Sequence, residues 1–184
     1  MIVATNNKGK IREIKEILNE YELYSLKEKN IDIDVVEDQD SFLGNAKKKA
    51  KEIYDISKEP VIADDSGLCI DVLDGFPGVM THRFLGDASD IERNEYLINE
   101  LNKYDNRSAK VICDLVYYDG NDYIVGEGII EGYISKERRG SNGFGFDEIF
   151  ELPNGLTLAE LTPEEKNKIS ARAEAAKKIK QLIK

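Results

Sequence analysis

The sequence predicts an α/β protein, and three observations carry that prediction. A short β-branched run at Ile2 to Thr5 passes directly into a helix-period pattern. Two long apolar-rich runs, Ala109 to Tyr118 and Tyr123 to Ile134, flank DGND, a turn that suits a β-hairpin. The chain then closes on TPEEKNKISARAEAAKKIKQLI. There Thr162 is the expected N-cap, Pro163 fits the first helical position and Glu165 completes a capping box.

Taken in order, the first helix starts at Gly9. Ile11, Ile14, Ile17, Leu18 and Tyr21 fall on one face, and Arg12, Glu13, Lys15 and Glu16 on the other. Ile31, Ile33 and Val35 alternate with Asp32 and Asp34, the pattern of a half-buried strand. Ser41 caps a second helix with Phe42, Leu43, Ala46, Ala50, Ile53 and Tyr54 on its apolar side. Its other side carries Lys47, Lys48, Lys49 and Lys51. Pro60 to Ala63 reads as a strand ending on Asp64 and Asp65. Residues 71 to 89 read as a loop rich in Gly and Asp, and Asp90 opens a helix carrying Ile91, Leu97, Ile98 and Leu101. GSNGFGF forms a Gly-rich loop after the hairpin. The final segment reads as one helix, on which Lys166 and Ser170 share a face.

A chain of 184 residues fits one domain, and 41% hydrophobic residues suffice for a real core. The net charge of -10 argues against general nucleic-acid or anionic-membrane binding, which wants a basic face. It leaves room for a local basic pocket that takes a small phosphate ligand. Cys69 and Cys113 sit in apolar runs with no CxxC and no nearby His, so two buried reduced thiols are expected rather than a metal site or disulfide. No signal peptide and no apolar run long enough to span a bilayer is legible, so a soluble cytoplasmic protein is expected.

Several stretches could carry chemistry. ATNNKGK, Ala4 to Lys10, places amides, a glycine and lysines at a strand-to-helix turn, where N–H groups and the helix dipole attract anions. It lacks P-loop spacing, and alone it is equally a solvated turn. IADDSGL puts two acids after an apolar run. One acid suits a hard cation or a water to be activated, while the other bonds to backbone; a capping turn is the plainer alternative. Glu37, in an acidic loop, could complete a Mg²⁺ site with one of them, because magnesium bound with phosphates takes only one or two protein carboxylates. Among the helical lysines, Lys49 could lean inward, although most of the row must be solvated. In GSNGFGFDEIF, Phe144 or Phe146 could stack on a flat ring and Asp147 accept from a base, or both rings could simply be core. Lys166, Ser170 and Arg172 are otherwise ordinary helix surface.

Together ATNNKGKIREI, ADDSGLCIDVLDGFPGV, GFGFDEIF and AELTPEEKNKIS, in this order and spacing, resemble the inosine/xanthosine triphosphate pyrophosphatase family, which is Ham1-like, over nearly the whole chain. The resemblance implies a long mixed twisted sheet flanked by helices, in two lobes with a nucleotide cleft between them, usually as a homodimer. It implies Mg²⁺-dependent hydrolysis of ITP, dITP and XTP to the monophosphate and pyrophosphate. By position, Thr5, Asn7 and Lys10 are the expected triphosphate turn, with Lys49 a phosphate contact. Glu37 and Asp65 are the expected metal acids. Asp65 is also the expected general base, with Asp64 in support and Ser66 beside them at the substrate. Phe144, Gly145, Phe146 and Asp147 are the expected base-binding segment, and Lys166 and Arg172 further nucleotide contacts. Two departures stand out. Asn6 replaces the family's usual Gly, which Asn's tolerance of positive φ would accommodate. Ala171 replaces a His associated with the purine 6-oxo group, which puts base selectivity in question; His82, the only His, is a candidate to compensate. A Maf-type pyrophosphatase of modified pyrimidines and a non-catalytic nucleotide sensor are the alternatives.

Overall fold

The computed structural model describes residues 1–183. Six strands form one sheet: β1 (Ile2–Val3), β2 (Tyr24–Ser25), β3 (Val61–Ile70), β4 (Ser108–Tyr118), β5 (Tyr123–Ile134) and β6 (Phe150–Glu151), in the order β2-β1-β3-β4-β5-β6. β1 runs parallel to both β2 and β3, and β6 antiparallel to β5, so the sheet is mixed. Among the described residues five α-helices accompany it: α1 (Lys8–Ile17), α2 (Phe42–Ser57), α3 (Asp90–Glu100), α4 (Pro163–Ile169) and α5 (Ala171–Lys180). The chain divides into two compact units. The first comprises Met1–Ser66, Cys113–Gly128 and the segment from Ser170 onward; the second comprises Gly67–Ile112 and Ile129–Ile169.

In the first unit, Ile2, Val61, Ala63, Val116 and Tyr118 from the strands, with Ala4 just past β1, pack against Ala46, Ala50 and Ile53 of α2. Ile31, Ile33 and Val35 pack on that core, and Asp32 and Asp34 are exposed, so the expected alternation is real. The segment nevertheless joins no ladder and is not a strand. Half-burial needs only a side-chain alternation, whereas a strand also needs a free edge to pair with.

The hairpin of β4 and β5 has the expected bounds except that β4 begins one residue earlier, at Ser108. On β5, Gly126 and Gly128 lie two apart and so share a face. A Cβ on Gly128 would stand 1.9 Å from the Ala171 carbonyl oxygen, and one on Gly126 2.1 Å from that of Ala175. These glycines and the buried Ala171, Ala173, Ala175 and Ala176 let α5 lie against the strand. The start of α5 is thereby fixed, and with it Arg172.

Two expected boundaries are corrected. The C-terminal segment is two helices, not one: Ser170 leaves helical geometry (ψ 156°) and its hydroxyl accepts from Ala173 N to cap α5. The capping box of Thr162 and Glu165 at the start of α4 is present. Strand β3 does not end on the aspartates either. It continues through Ser66 to Ile70, and all ten residues are buried. Asp64 and Asp65 therefore sit inside a strand, where alternation sends them to opposite faces.

Candidate active site

The opening turn is built by its own side chains. Thr5 Oγ1 accepts from Asn7 N at 3.2 Å, and Asn7 Oδ1 accepts from Gly9 N and Lys10 N at 2.9 and 3.1 Å. Asn7 is thus the N-cap of α1, which orients the first-turn N–H groups and their partial positive charge. Asn6 adopts no positive φ, contrary to the reason expected for its tolerance; it is exposed and donates to Ile33 O at 3.3 Å. Lys8 is exposed, while Lys10 is buried with Nζ 3.2 Å from Asp64 Oδ2.

Arg172 joins this pair from α5. Its Nη2 donates to Asp64 Oδ2 at 2.8 Å and to Ser66 Oγ at 3.1 Å, and its Nη1 pairs with Glu13. Glu13 was expected on the solvent face of α1, and this is corrected: it is 4% exposed. The counter-charge of Arg172 explains its burial. Burial alone would push the Asp64 carboxyl up, but Lys10, then Arg172 and Lys49, outweigh it and hold it far below the usual range. Its second oxygen, Oδ1, is buried without a hydrogen-bond partner.

Asp65 faces a different environment. Oδ2 accepts from Asn45 Nδ2 at 2.9 Å and Oδ1 from its neighbour Ser66 N at 3.0 Å. Lys49 Nζ is 4.0 Å from Oδ1 and makes a short hydrogen bond to Glu37. Burial, with Glu37 adding to it, raises the Asp65 pKa against the pull of Lys49 and Lys10. For Lys49, burial works against the charge, yet Asp64, Asp65 and Glu37 prevail and raise its pKa. Adjacent carboxyls are thus driven apart, Asp64 firmly ionised and Asp65 made more basic, the division of labour found where one acid supports and its neighbour moves protons.

These residues fit a hard cation. Glu37 and Asp65 converge on the same ammonium, so the fold gathers oxygen donors where positive charge is wanted, and Asp64 Oδ1 is an unused buried acceptor. No group of three or more His, Cys, Asp or Glu side chains placed to hold a metal occurs among the described residues.

The second unit holds the Gly-Phe segment. Asp147 Oδ2 accepts from Phe144 N at 2.8 Å and pairs with Lys166, whose Nζ lies 4.7 Å from the Phe144 ring centroid. Lys166 is buried, not ordinary helix surface. Gly143 has φ +79°, and a Cβ there would stand 2.0 Å from Asp147 Oδ2, so conformation and space both require glycine. His82 lies near Gly145: a Cβ built there would be 3.7 Å from His82 Cε1. The structure therefore brings Lys10, Asp64, Ser66 and Arg172 together, joins Glu37, Lys49 and Asp65, and separately joins Phe144, Asp147 and Lys166. It leaves the substituted Ala171 buried as the first residue of α5.

The Ham1 family matches residues 1–182. The chain belongs to the Ham1 family. It is 42% identical to a dITP/XTP pyrophosphatase of Aquifex aeolicus over 100% of this chain and 96% of that protein. It is 43% identical to one of Bacillus subtilis over 99% and 96%. A solved HAM1 protein from Coxiella burnetii superposes with a TM-score of 0.89 at 34% identity, covering 98% of this chain and 96% of that one. Within this Ham1 chain, Glu13 and Asn45 join the buried cluster through Arg172 and Asp65, and helical patterning alone does not single them out. Both interrupt a helical apolar stripe, Glu13 beside Ile14 and Asn45 between Phe42 and Ala46, and that interruption was the available signal.

Proposed function

We propose that this Ham1 protein is a nucleoside triphosphate pyrophosphatase that hydrolyses ITP, dITP and XTP to the monophosphate and pyrophosphate. The observation that carries the mechanism is the divergent pair Asp64 and Asp65 within reach of buried Lys10, Lys49 and Arg172. Thr5, Asn7 and Lys10 receive the triphosphate, helped by the N-terminus of α1. Lys49 contacts phosphate once substrate competes for its charge. Asp64 holds Lys10 and Arg172 in place. Asp65, its basicity raised by burial, takes the proton of a water aimed at the α-phosphorus. Ser66 hydrogen-bonds beside the acids. Glu37 and Asp65 would hold Mg²⁺, which when bound neutralises charge developing on the phosphates. Phe144, Gly145, Phe146, Asp147 and Lys166 receive the base.

Relatives named dITP/XTP pyrophosphatase support this reading over the Maf-type and sensor alternatives. Such an enzyme belongs with its nucleotide pool, the cytoplasm. No helix among the described residues is long and apolar enough to cross a membrane. A homodimer is supported by the exposed Phe76, Met80, Leu85, Ile91 and Tyr96 in the second unit. Hydrolysis of ITP in ¹⁸O-water tests the reaction. Label in IMP with unlabelled pyrophosphate is expected; orthophosphate as first product overturns the assignment.

A further inference from the structure

Gly145 is the least constrained residue of the Gly-Phe segment by its own chemistry. It adopts φ +64°, and a Cβ there would meet only His82, so local packing does not fix it. Yet both of its backbone polar groups are held by one helix. Asn94 Nδ2 donates to Gly145 O at 2.9 Å, and Gly145 N donates to Asp90 Oδ2 at 3.0 Å. Asp90 and Asn94 lie four apart on α3 and so share a face.

Asn94 is a costly choice for that position. It is 3% exposed, and Asn ranks low in helix interiors and must be satisfied when buried. Leu97 and Ile98 on the same helix show that apolar residues serve where only packing is needed. The side chain is spent on the Gly145 carbonyl. On either side of Gly145 stand Phe144, tied to Asp147 and Lys166, and Phe146, which with Leu68, Thr81, Phe84, Asn94 and Leu97 lines a small cavity.

We propose that Asn94, with Asp90, is a positioning residue for nucleobase recognition: α3 clamps the Gly145 peptide from both ends and presents Phe144 and Asp147 ready for the base. This rests on the assignment of residues 144–147 to the base. A glycine freed from the clamp regains backbone freedom that binding must then remove. Fixing one residue's backbone corresponds to a weakening of about 5- to 30-fold in base-dependent affinity. Phosphate contacts, made by other residues, do not share that loss.

The test uses the full chain with Mg²⁺ and two variants. Asn94→Asp keeps the shape and removes the donor; Asp90→Ala removes the exposed partner and spares the helix interior. Wild type and variants are compared for kcat and KM with ITP, and for inhibition by tripolyphosphate, which has no base. The expected result is a rise of about 5- to 30-fold in KM for Asn94→Asp, a smaller rise for Asp90→Ala, and kcat and the tripolyphosphate inhibition constant both unchanged. Acidification that protonates the introduced carboxyl should restore a donor and narrow the KM gap to wild type. Should Asn94→Asp not fold, Asp90→Ala alone decides by the same comparison. Unchanged KM in the folded variants, or equal losses for ITP and tripolyphosphate, overturns the proposal. Wild type that neither binds nor cleaves ITP overturns the functional reading, and the clamp's role with it.

Discussion

Replacing Asp64 by Asn tests the buried ion cluster most directly, because the two side chains are isosteric and only the charge is lost. One oxygen of Asp64 serves Lys10 at 3.2 Å and Arg172 Nη2 at 2.8 Å, and the side chain is fully buried. Arg172 keeps Glu13 after the substitution, but Lys10 loses its partner in the dry interior. Breaking a buried pair from one side costs about 3–5 kcal/mol, because the remaining charge stays desolvated. For a chain of this size each kcal/mol moves Tm by about 2–4 °C, so the variant should melt about 6–20 °C lower. That loss is comparable to the whole stability of many domains, so a double-mutant cycle with Lys10→Met guards against a variant that does not fold. Removing both charges should recover much of the loss, with a coupling of about 1–3 kcal/mol. Urea unfolding followed by circular dichroism reads all four corners. A single-mutant loss below about 1 kcal/mol with the fold intact, or additive losses in the cycle, would refute the argument that pairing dominates this cluster.

Asp65→Asn should lower kcat/KM by about 10²- to 10⁴-fold, the usual worth of a general base, with unfolding in urea no easier than for wild type at pH 7; a less stable variant contradicts the burial penalty on Asp65. The two acids give opposite pH effects. The depressed Asp64 stabilises above its unfolded pKa of about 3.9 and loses that contribution on acidification below it, whereas the raised Asp65 begins to cost stability as pH climbs past about 3.9 through its folded value. Urea midpoints between pH 2 and 7 should therefore fall less steeply in acid for Asp64→Asn than for wild type. Gly128→Ala forces a methyl to within 1.9 Å of the Ala171 carbonyl, so it should destabilise by about 1–3 kcal/mol or more and reduce activity by shifting Arg172, read by thermal melts alongside turnover. Chelation of divalent ions should abolish ITP turnover and Mg²⁺ restore it; full activity in excess chelator would remove Glu37 and Asp65 from the metal role.

The fold class, the hairpin and the helix caps were legible because each depends on neighbours in sequence. Ser41 caps α2, and Thr162 with Glu165 caps α4, through bonds spanning three residues. What escaped depends on partners far along the chain. Ser170 reads as helical beside its neighbours, but its hydroxyl caps α5 and breaks the helix. β3 runs beyond its acids because Lys10, Asn45, Lys49 and Arg172, distant in sequence, supply the charges and donors that let carboxylates be buried in a strand. Residues 31–35 show the converse. Their alternation does reflect half-burial, but period alone does not say whether an edge is available for pairing.

The cluster's charge count bears on why a protein of net charge -10 is suited to a triphosphate. Lys10, Lys49 and Arg172 face Glu13, Glu37, Asp64 and Asp65, so three cations meet four carboxylates and the cluster is not an anion trap as it stands. A protein built only to hold phosphate would omit Glu37 and Asp65 and keep the lysines free. Retaining both acids engages Lys49 and raises the pKa of Asp65, a stability cost without benefit unless a hard cation and a proton acceptor are needed. With Glu37 and Asp65 holding a divalent ion, as proposed, Lys49 would be free to contact the phosphates. The same residues that make this cluster poor at simple binding make it suited to hydrolysis, and that asymmetry separates an enzyme from a nucleotide sensor.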